Sequence, residues 1–139
     1  MELPPIVDAD WVLAHRDQVV LADVRWYLDG RSGPDAFRAA HIPGATFVDL
    51  ERDLSAPGEP TDGRHPLPSP EELAAAMGRL GIGEDDVVIA YDDSGGGTAG
   101  RLAWMLRVIG HPAALLDGGL KTWPEPPESG EGVSRPPTT

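Results

Sequence analysis

Val87-Val88-Ile89-Ala90-Tyr91 is an unbroken apolar run, and Asp92-Asp93-Ser94-Gly95-Gly96-Gly97-Thr98-Ala99-Gly100 carries it into a helix expected to open near Arg101. A short run without polar alternation suits a strand covered on both faces. The junction that follows it, strand end to helix start, gathers backbone N–H groups and the positive end of a helix dipole, and so suits an anion or an activated nucleophile. Yet the chain contains no cysteine, and carboxylates occupy the place where a reactive atom is looked for. The layout of a reactive loop is present without its obvious nucleophile.

Working outward, the same alternation of strand and helix recurs. Asp8 is placed to cap a short helix through Trp11, Val12 and Leu13, ahead of the apolar strand Val19-Val20-Leu21-Ala22-Asp23-Val24. Pro34 opens a helix that runs to Ala40, His41-Ile42-Pro43-Gly44-Ala45 is a turn, and Thr46-Phe47-Val48-Asp49-Leu50 is a strand. The Pro-, Gly- and charge-rich stretch 55–68 reads as a surface loop. Ser69-Pro70-Glu71-Glu72 has the form of a capping box before the apolar stripe Leu73, Met77 and Leu80, with Gly81 or Gly83 as the stop. The helix after the glycine loop carries Leu102, Trp104, Met105, Leu106, Val108 and Ile109, apolar nearly all round, which predicts deep packing against a sheet. Ala113-Ala114-Leu115-Leu116-Asp117 is the last strand. Together these predict a single α/β domain with a mostly parallel central sheet flanked by helices on both faces. The domain is expected over 1–123, with 124–139, rich in Pro and poor in large apolar residues, as a linker or tail.

Composition narrows the function classes. The 139 residues form one domain able to bury roughly 70% of its unfolded surface. With 23 acidic against 11 basic residues the net charge is −12, a surface that repels nucleic-acid phosphates and anionic lipid. No apolar run approaches the roughly 20 residues of a membrane span, and the opening Met1-Glu2-Leu3-Pro4-Pro5 does not resemble a secretory leader. The expectation is a soluble cytoplasmic protein. Without cysteine, this chain has no disulfide, thiolate metal site or thiol catalysis of its own.

Four chemistries compete for the glycine loop. Gly95, Gly97 and Gly100 satisfy a dinucleotide fingerprint, and Asp117 stands about twenty residues on, where a ribose-binding acid is expected. Against it, the unit is the last strand–helix–strand of the chain, Asp92 and Asp93 would repel a pyrophosphate, and Arg101 puts a large side chain where close helix packing is needed. A metal is not expected: Asp92 and Asp93 are adjacent at a strand end and point apart, and His15, His41, His65 and His111 have no ligand spacing. The plainer reading gives one of the two aspartates to capping the helix. Ser94 lacks the Gly-x-Ser-x-Gly elbow of a hydrolase, with Asp92 in place of the first glycine. A hydrolase using Asp92, Asp93 or Ser94, and a module binding a small anion or peptide in the loop, stand as alternatives. No cofactor is implied.

The ordered set of motifs resembles a known family. Asp23-Val24-Arg25, His41-Ile42-Pro43-Gly44-Ala45, the strand with its loop at 91 to 98, and Leu116-Asp117-Gly118-Gly119 with Trp123 are similar to a rhodanese domain over about residues 6 to 130. Arg25-Trp26-Tyr27, Gly63-Arg64-His65-Pro66-Leu67-Pro68 and Tyr91-Asp92-Asp93-Ser94-Gly95-Gly96 resemble specifically the N-terminal half of two-domain thiosulfate and 3-mercaptopyruvate sulfurtransferases. The resemblance implies a catalytic cysteine directly after the central strand in active members, carrying sulfur as a persulfide cradled by loop amides. Asp92 occupies the matching position here. It further implies a non-catalytic half whose loop, Asp92, Asp93, Ser94, Gly95, Gly96, Gly97 and Thr98, is a degenerate active site. Arg25, Trp26 and Arg101 are the candidate contacts to an anion or partner. The partner expected is a catalytic rhodanese domain, in cis or in trans, or a second copy of the chain. In the loop, Asp92 is expected to fold back onto the N–H groups of Gly95 to Thr98 or to pair with Arg101.

Overall fold

A computed structural model describes residues 3–25, 33–49, 69–83, 86–93 and 95–130. In chain order the described elements are β1 (Ile6–Val7), α1 (Ala9–Ala14), a 3-10 turn (Arg16–Gln18), β2 (Val19–Asp23), α2 (Gly33–Ala39), β3 (Thr46–Phe47), α3 (Pro70–Arg79), β4 (Val87–Tyr91), α4 (Gly97–Val108), β5 (Ala113–Leu116) and a second 3-10 turn (Gly119–Thr122). The strands form one sheet in the order β1-β5-β4-β2-β3, every pairing parallel. β4 is central and pairs with β2 from Val19↔Val87 to Asp23↔Tyr91. That register brings the Asp23 and Tyr91 ends side by side.

Alternation along the two central strands divides the core. Val20, Ala22 and Val24 join Val88 and Ala90 on the face covered by Leu73, Ala76 and Met77 of α3 and Ala99, Leu102, Met105 and Leu106 of α4. Leu21, Ile89 and Tyr91 point the other way, against Val12 of α1, Phe37 of α2, Ile42 and Trp123. Burial on both faces is why β2 and β4 lack polar alternation.

The helix signals act as their chemistry requires. Asp8 Oδ1 accepts from the Trp11 N–H at 2.8 Å and so caps α1. At α3 the capping box closes both ways: Ser69 Oγ accepts from Glu72 N–H at 3.1 Å, and Glu72 Oε1 from Ser69 N–H at 2.9 Å. Gly81, with φ +78°, supplies the left-handed residue after the helix.

Three features differ from the sequence expectation. α4 begins at Gly97 rather than near Arg101, because a side chain from the preceding strand end caps its first turn, as described below. Its outer face is not buried: Trp104 is 57% and Val108 64% exposed, and with Ser69, Pro70, Leu73, Met105 and Ile109 they line a shallow apolar groove of about 160 Å³ beside the α3 N-terminus. Apolar residues on every side of a helix need not all face a sheet. The third difference is the segment after Trp123, expected to leave the domain at 124. It stays docked through Gly130, with Arg16 Nη1 on Glu125 Oε1 at 2.7 Å and paired backbone hydrogen bonds between His41 and Glu128. Polar backbone pairing holds it, which an apolar count does not register.

Candidate functional site

The C-terminal end of β4 is occupied by the Asp92 side chain, 2% exposed. Its carboxylate turns back into the glycine loop. Oδ1 accepts from Gly96 N–H at 2.9 Å, while Oδ2 accepts from Ala99 N–H at 2.9 Å, Thr98 N–H at 3.2 Å and the Thr98 hydroxyl at 3.1 Å. Gly96, the residue before α4, has no side chain to cap it. Asp92 therefore does the capping from five residues before Gly97, placing a negative charge on the positive end of the helix. The donors lie one residue further on than expected, reaching Ala99.

The loop's shape depends on two glycines. Gly95 and Gly96 have φ of +82° and +94°, and a Cβ on Gly96 would press Leu115 Cδ2 at 3.0 Å. The glycines of the dinucleotide pattern serve nothing similar: a Cβ at Gly97 or Gly100 would meet no atom within 4 Å. The third glycine of that fingerprint exists to let helix and strand approach closely, and no such approach occurs at Gly100. From the other side the turn after β5 closes on the loop. Gly119, at φ +58°, lies so near that a Cβ would collide with the Asp92 carbonyl oxygen, which accepts from Leu120 N–H at 3.1 Å. Ile6, Leu115, Leu116 and Gly118 complete, with Asp92, Gly95, Gly96, Asp117 and Gly119, the walls of a cavity of about 350 Å³.

Beside this loop, at the end of β2, lies a buried polar group that the sequence did not single out as one unit. Asp23 is fully buried, and its carboxylate takes Arg25 Nε at 3.0 and 3.1 Å and Arg25 Nη2 at 3.0 Å. The same Nη2 donates to the α2 carbonyls of Ala36 and Ala40, at 3.2 and 2.6 Å. Burial raises the Asp23 carboxyl above its ordinary range, with Arg25 pulling it back down. Tyr91 is held neutral, its phenol pushed far up by burial and then by the Asp23 charge, and its oxygen accepts from Ile42 N–H at 3.0 Å. Arg25, a candidate contact for an anion or partner, thus faces inward at 5% exposure. It binds β2 to the C-terminus of α2. Gly33 permits the approach: a Cβ there would sit 2.6 Å from the Arg25 carbonyl oxygen.

The other candidates are distributed as follows. Asp93 and Thr98 are half-buried at the loop, and Arg101 is half-buried in the first turns of α4, where desolvation lowers its guanidinium. Trp26 and Ser94 lie outside the described residues, as do 63–68. No group of three or more His, Asp or Glu with metal-binding geometry occurs among the described residues.

A parallel five-stranded sheet, an amide-lined loop after its central strand and a glycine turn closing over that loop define what known proteins can be compared with. The family description "Rhodanese-like domain" matches residues 8–125. The chain belongs to the rhodanese-like family. Among curated relatives, the probable 3-mercaptopyruvate sulfurtransferase of Pseudomonas aeruginosa is 46% identical over 115 residues, covering 80% of this chain and 40% of that protein. Thiosulfate/3-mercaptopyruvate sulfurtransferase 2 of Arabidopsis thaliana is 42% identical over 125 residues, covering 86% and 35%. Among solved structures, the 3-mercaptopyruvate sulfurtransferase from Leishmania major superposes with a TM-score of 0.85 at 30% identity, covering 96% of this chain and 39% of that one. SseA from Escherichia coli gives 0.81 at 33%, covering 96% and 54%. The rhodanese-like chain therefore spans about 40% of the length of these curated relatives. Among its described residues no helix is long and apolar enough to cross a membrane.

Proposed function

We propose that this chain is a non-catalytic rhodanese half, with Asp92 standing in for the sulfur-carrying cysteine and a cysteine-bearing rhodanese domain as its partner in the cytoplasm. One observation carries the proposal: the amide cradle that would stabilise a thiolate or persulfide is filled by the protein's own carboxylate, through four hydrogen bonds. A carboxylate keeps the negative charge the cradle favours but cannot form a sulfur–sulfur bond. The chain supplies no thiol elsewhere. The curated relatives it matches are more than twice its matched length, which leaves room in them for a second unit of similar size. The exposed Trp104 and Val108 on α4 supply apolar surface for such a contact.

The alternatives fare less well on the same geometry. An external anion would have to displace Asp92 from N–H groups already engaged, and a hydrolase using Asp92 would need that carboxylate to leave its capping role. The test is direct binding: titration of the purified chain with a cysteine-bearing rhodanese domain, such as the C-terminal half of a two-domain relative, by calorimetry or analytical ultracentrifugation. A stoichiometric complex with altered sulfur-transfer kinetics is expected. Independent sedimentation and unchanged kinetics at the highest soluble concentrations would refute the structural-half reading.

A further inference from the structure

His41 sits at the C-terminus of α2, wholly buried, with its ring stacked on Phe37 at 4.0 Å between centroids. Its two ring nitrogens both face oxygens that accept. Nδ1 lies 2.7 Å from the Phe37 carbonyl oxygen, and Nε2 lies 3.0 Å from Glu128 Oε1 on the segment that follows Trp123. A carbonyl oxygen has no proton to give, so Nδ1 must carry its hydrogen. In a neutral ring Nε2 is then a bare lone pair aimed at a carboxylate, a repulsive contact. The observed distance requires one proton more than a neutral imidazole and an ionised carboxylate hold between them.

The same two residues also form the backbone clasp of this segment. His41 N–H donates to the Glu128 carbonyl at 2.9 Å, Glu128 N–H to the His41 carbonyl at 2.8 Å, and Gly130 N–H to the Arg38 carbonyl at 2.8 Å. We propose that residues 124–130 form a strap latched to the domain by a proton shared between His41 and Glu128, so that the strap docks when the latch is protonated and loosens as pH rises.

The charged and titratable groups on the surrounding elements do not duplicate this role. On α2, Arg38 is exposed and paired with Asp35. Arg25, reaching from the end of β2 to the Ala36 and Ala40 carbonyls, is engaged by Asp23. The Tyr91 hydroxyl on β4 takes the Ile42 N–H and stays neutral. On the strap itself, Glu125 pairs with Arg16 in a contact at least a third exposed on both sides, which gives the strap a second, weaker hold. Only the His41–Glu128 contact, among the described residues, couples strap docking to an imidazole.

The linkage sign follows from proton count. The docked state binds the extra proton, so docking is fully favoured while a released imidazole is itself protonated, below about pH 6.5, and weakens by up to tenfold per pH unit above that. At the acid end, protonating Glu128 as well removes its charge and weakens the latch again.

Two NMR measurements on the intact chain test this. A ring-nitrogen spectrum of His41 in the docked state should show hydrogen on both Nδ1 and Nε2. Amide-exchange protection of Glu128 and Gly130, corrected for intrinsic rates, should fall by up to tenfold per pH unit above neutrality, while the Val24 N–H bonded inside the sheet keeps its protection. In Glu128→Gln the slope should vanish, because an amide can donate to a neutral Nε2 and accept from a charged one. Glu128 is surface-exposed, so this variant is expected to fold. A flat protection profile in the unmodified chain, a single ring N–H while the strap is docked, or an unchanged slope in Glu128→Gln would each overturn the proposal.

Discussion

Replacing Asp92 by alanine removes the acceptor for three backbone N–H groups and one hydroxyl. Gly96 and Thr98 are half-buried, and water can take over their N–H groups. The Ala99 N–H cannot be rescued in this way, since the residue is fully buried. A buried donor left without a partner costs about 1–3 kcal/mol. Loss of a helix cap adds about 1 kcal/mol, since Gly96 offers no substitute. The sum, about 3 kcal/mol, is a large share of the roughly 5–15 kcal/mol that holds an ordinary domain together. Such a loss lowers Tm by about 10 °C in a chain of this size. Asp92→Asn keeps one oxygen but turns an amide NH2 toward the N–H cluster, so it should lose nearly as much. Urea unfolding of the three proteins measures this, through a shift in midpoint at constant m-value. If Asp92→Ala unfolds within about 0.5 kcal/mol of the parent, as an exposed substitution would, the carboxylate is not holding the loop and the reasoning fails.

Other outcomes follow from the neighbouring geometry. Arg25→Met strands the buried Asp23 carboxylate and should cost about 3–5 kcal/mol near neutral pH. Burial already raises that carboxyl and Arg25 opposes the rise, so the variant's folded form holds the proton more tightly still. A raised folded value gives stability that is complete below the unfolded value and lost as pH rises through the folded one. The deficit should therefore shrink from about pH 7 to about pH 4, and equal urea-midpoint losses at both would contradict it. Gly119→Ala forces a side chain against the Asp92 carbonyl at a positive φ. It should destabilise by more than about 2 kcal/mol, and a melting curve superimposable on the parent's would show that the turn relaxes freely. Trp104→Ser, on the exposed face of α4, should leave the melting temperature within about 2 °C of the parent while weakening association with a cysteine-bearing rhodanese domain; a protein that instead unfolds would assign Trp104 to the core.

Much of this architecture could be read in the chain because its signals are local. The apolar runs that became β2 and β4, the Asp8 and Ser69 caps, and the left-handed glycine after α3 each depend on a few adjacent residues. That Asp92 would cap the next helix was also legible, from an acid ahead of a glycine loop. Legibility fails where the decisive partner is distant. Arg25 was expected to face an anion or partner, yet it turns inward, because the carbonyls of Ala36 and Ala40 that receive it belong to a different element. The continuation of the fold to Gly130 depends on His41, eighty-seven positions from Glu128. Composition marked that segment as a tail, since Pro and Glu contribute little to a core. The outer face of α4 shows the converse error: its apolar residues were counted together, although only those at Leu102, Met105 and Leu106 spacing meet the sheet. In the loop, a glycine pattern matched a dinucleotide fingerprint by letter, while the conformations that require glycine fall at Gly95 and Gly96.

The central claim is that a loop shaped to hold activated sulfur is occupied by the Asp92 carboxylate and moves no sulfur. Assaying thiocyanate formation from thiosulfate and cyanide with the purified chain, beside an Asp92→Cys variant, addresses it most directly. The unmodified chain is expected to match buffer alone and to gain no sulfur mass after thiosulfate treatment. Thiocyanate released by the unmodified chain well above the buffer rate, and persisting after repeated purification, would contradict the account.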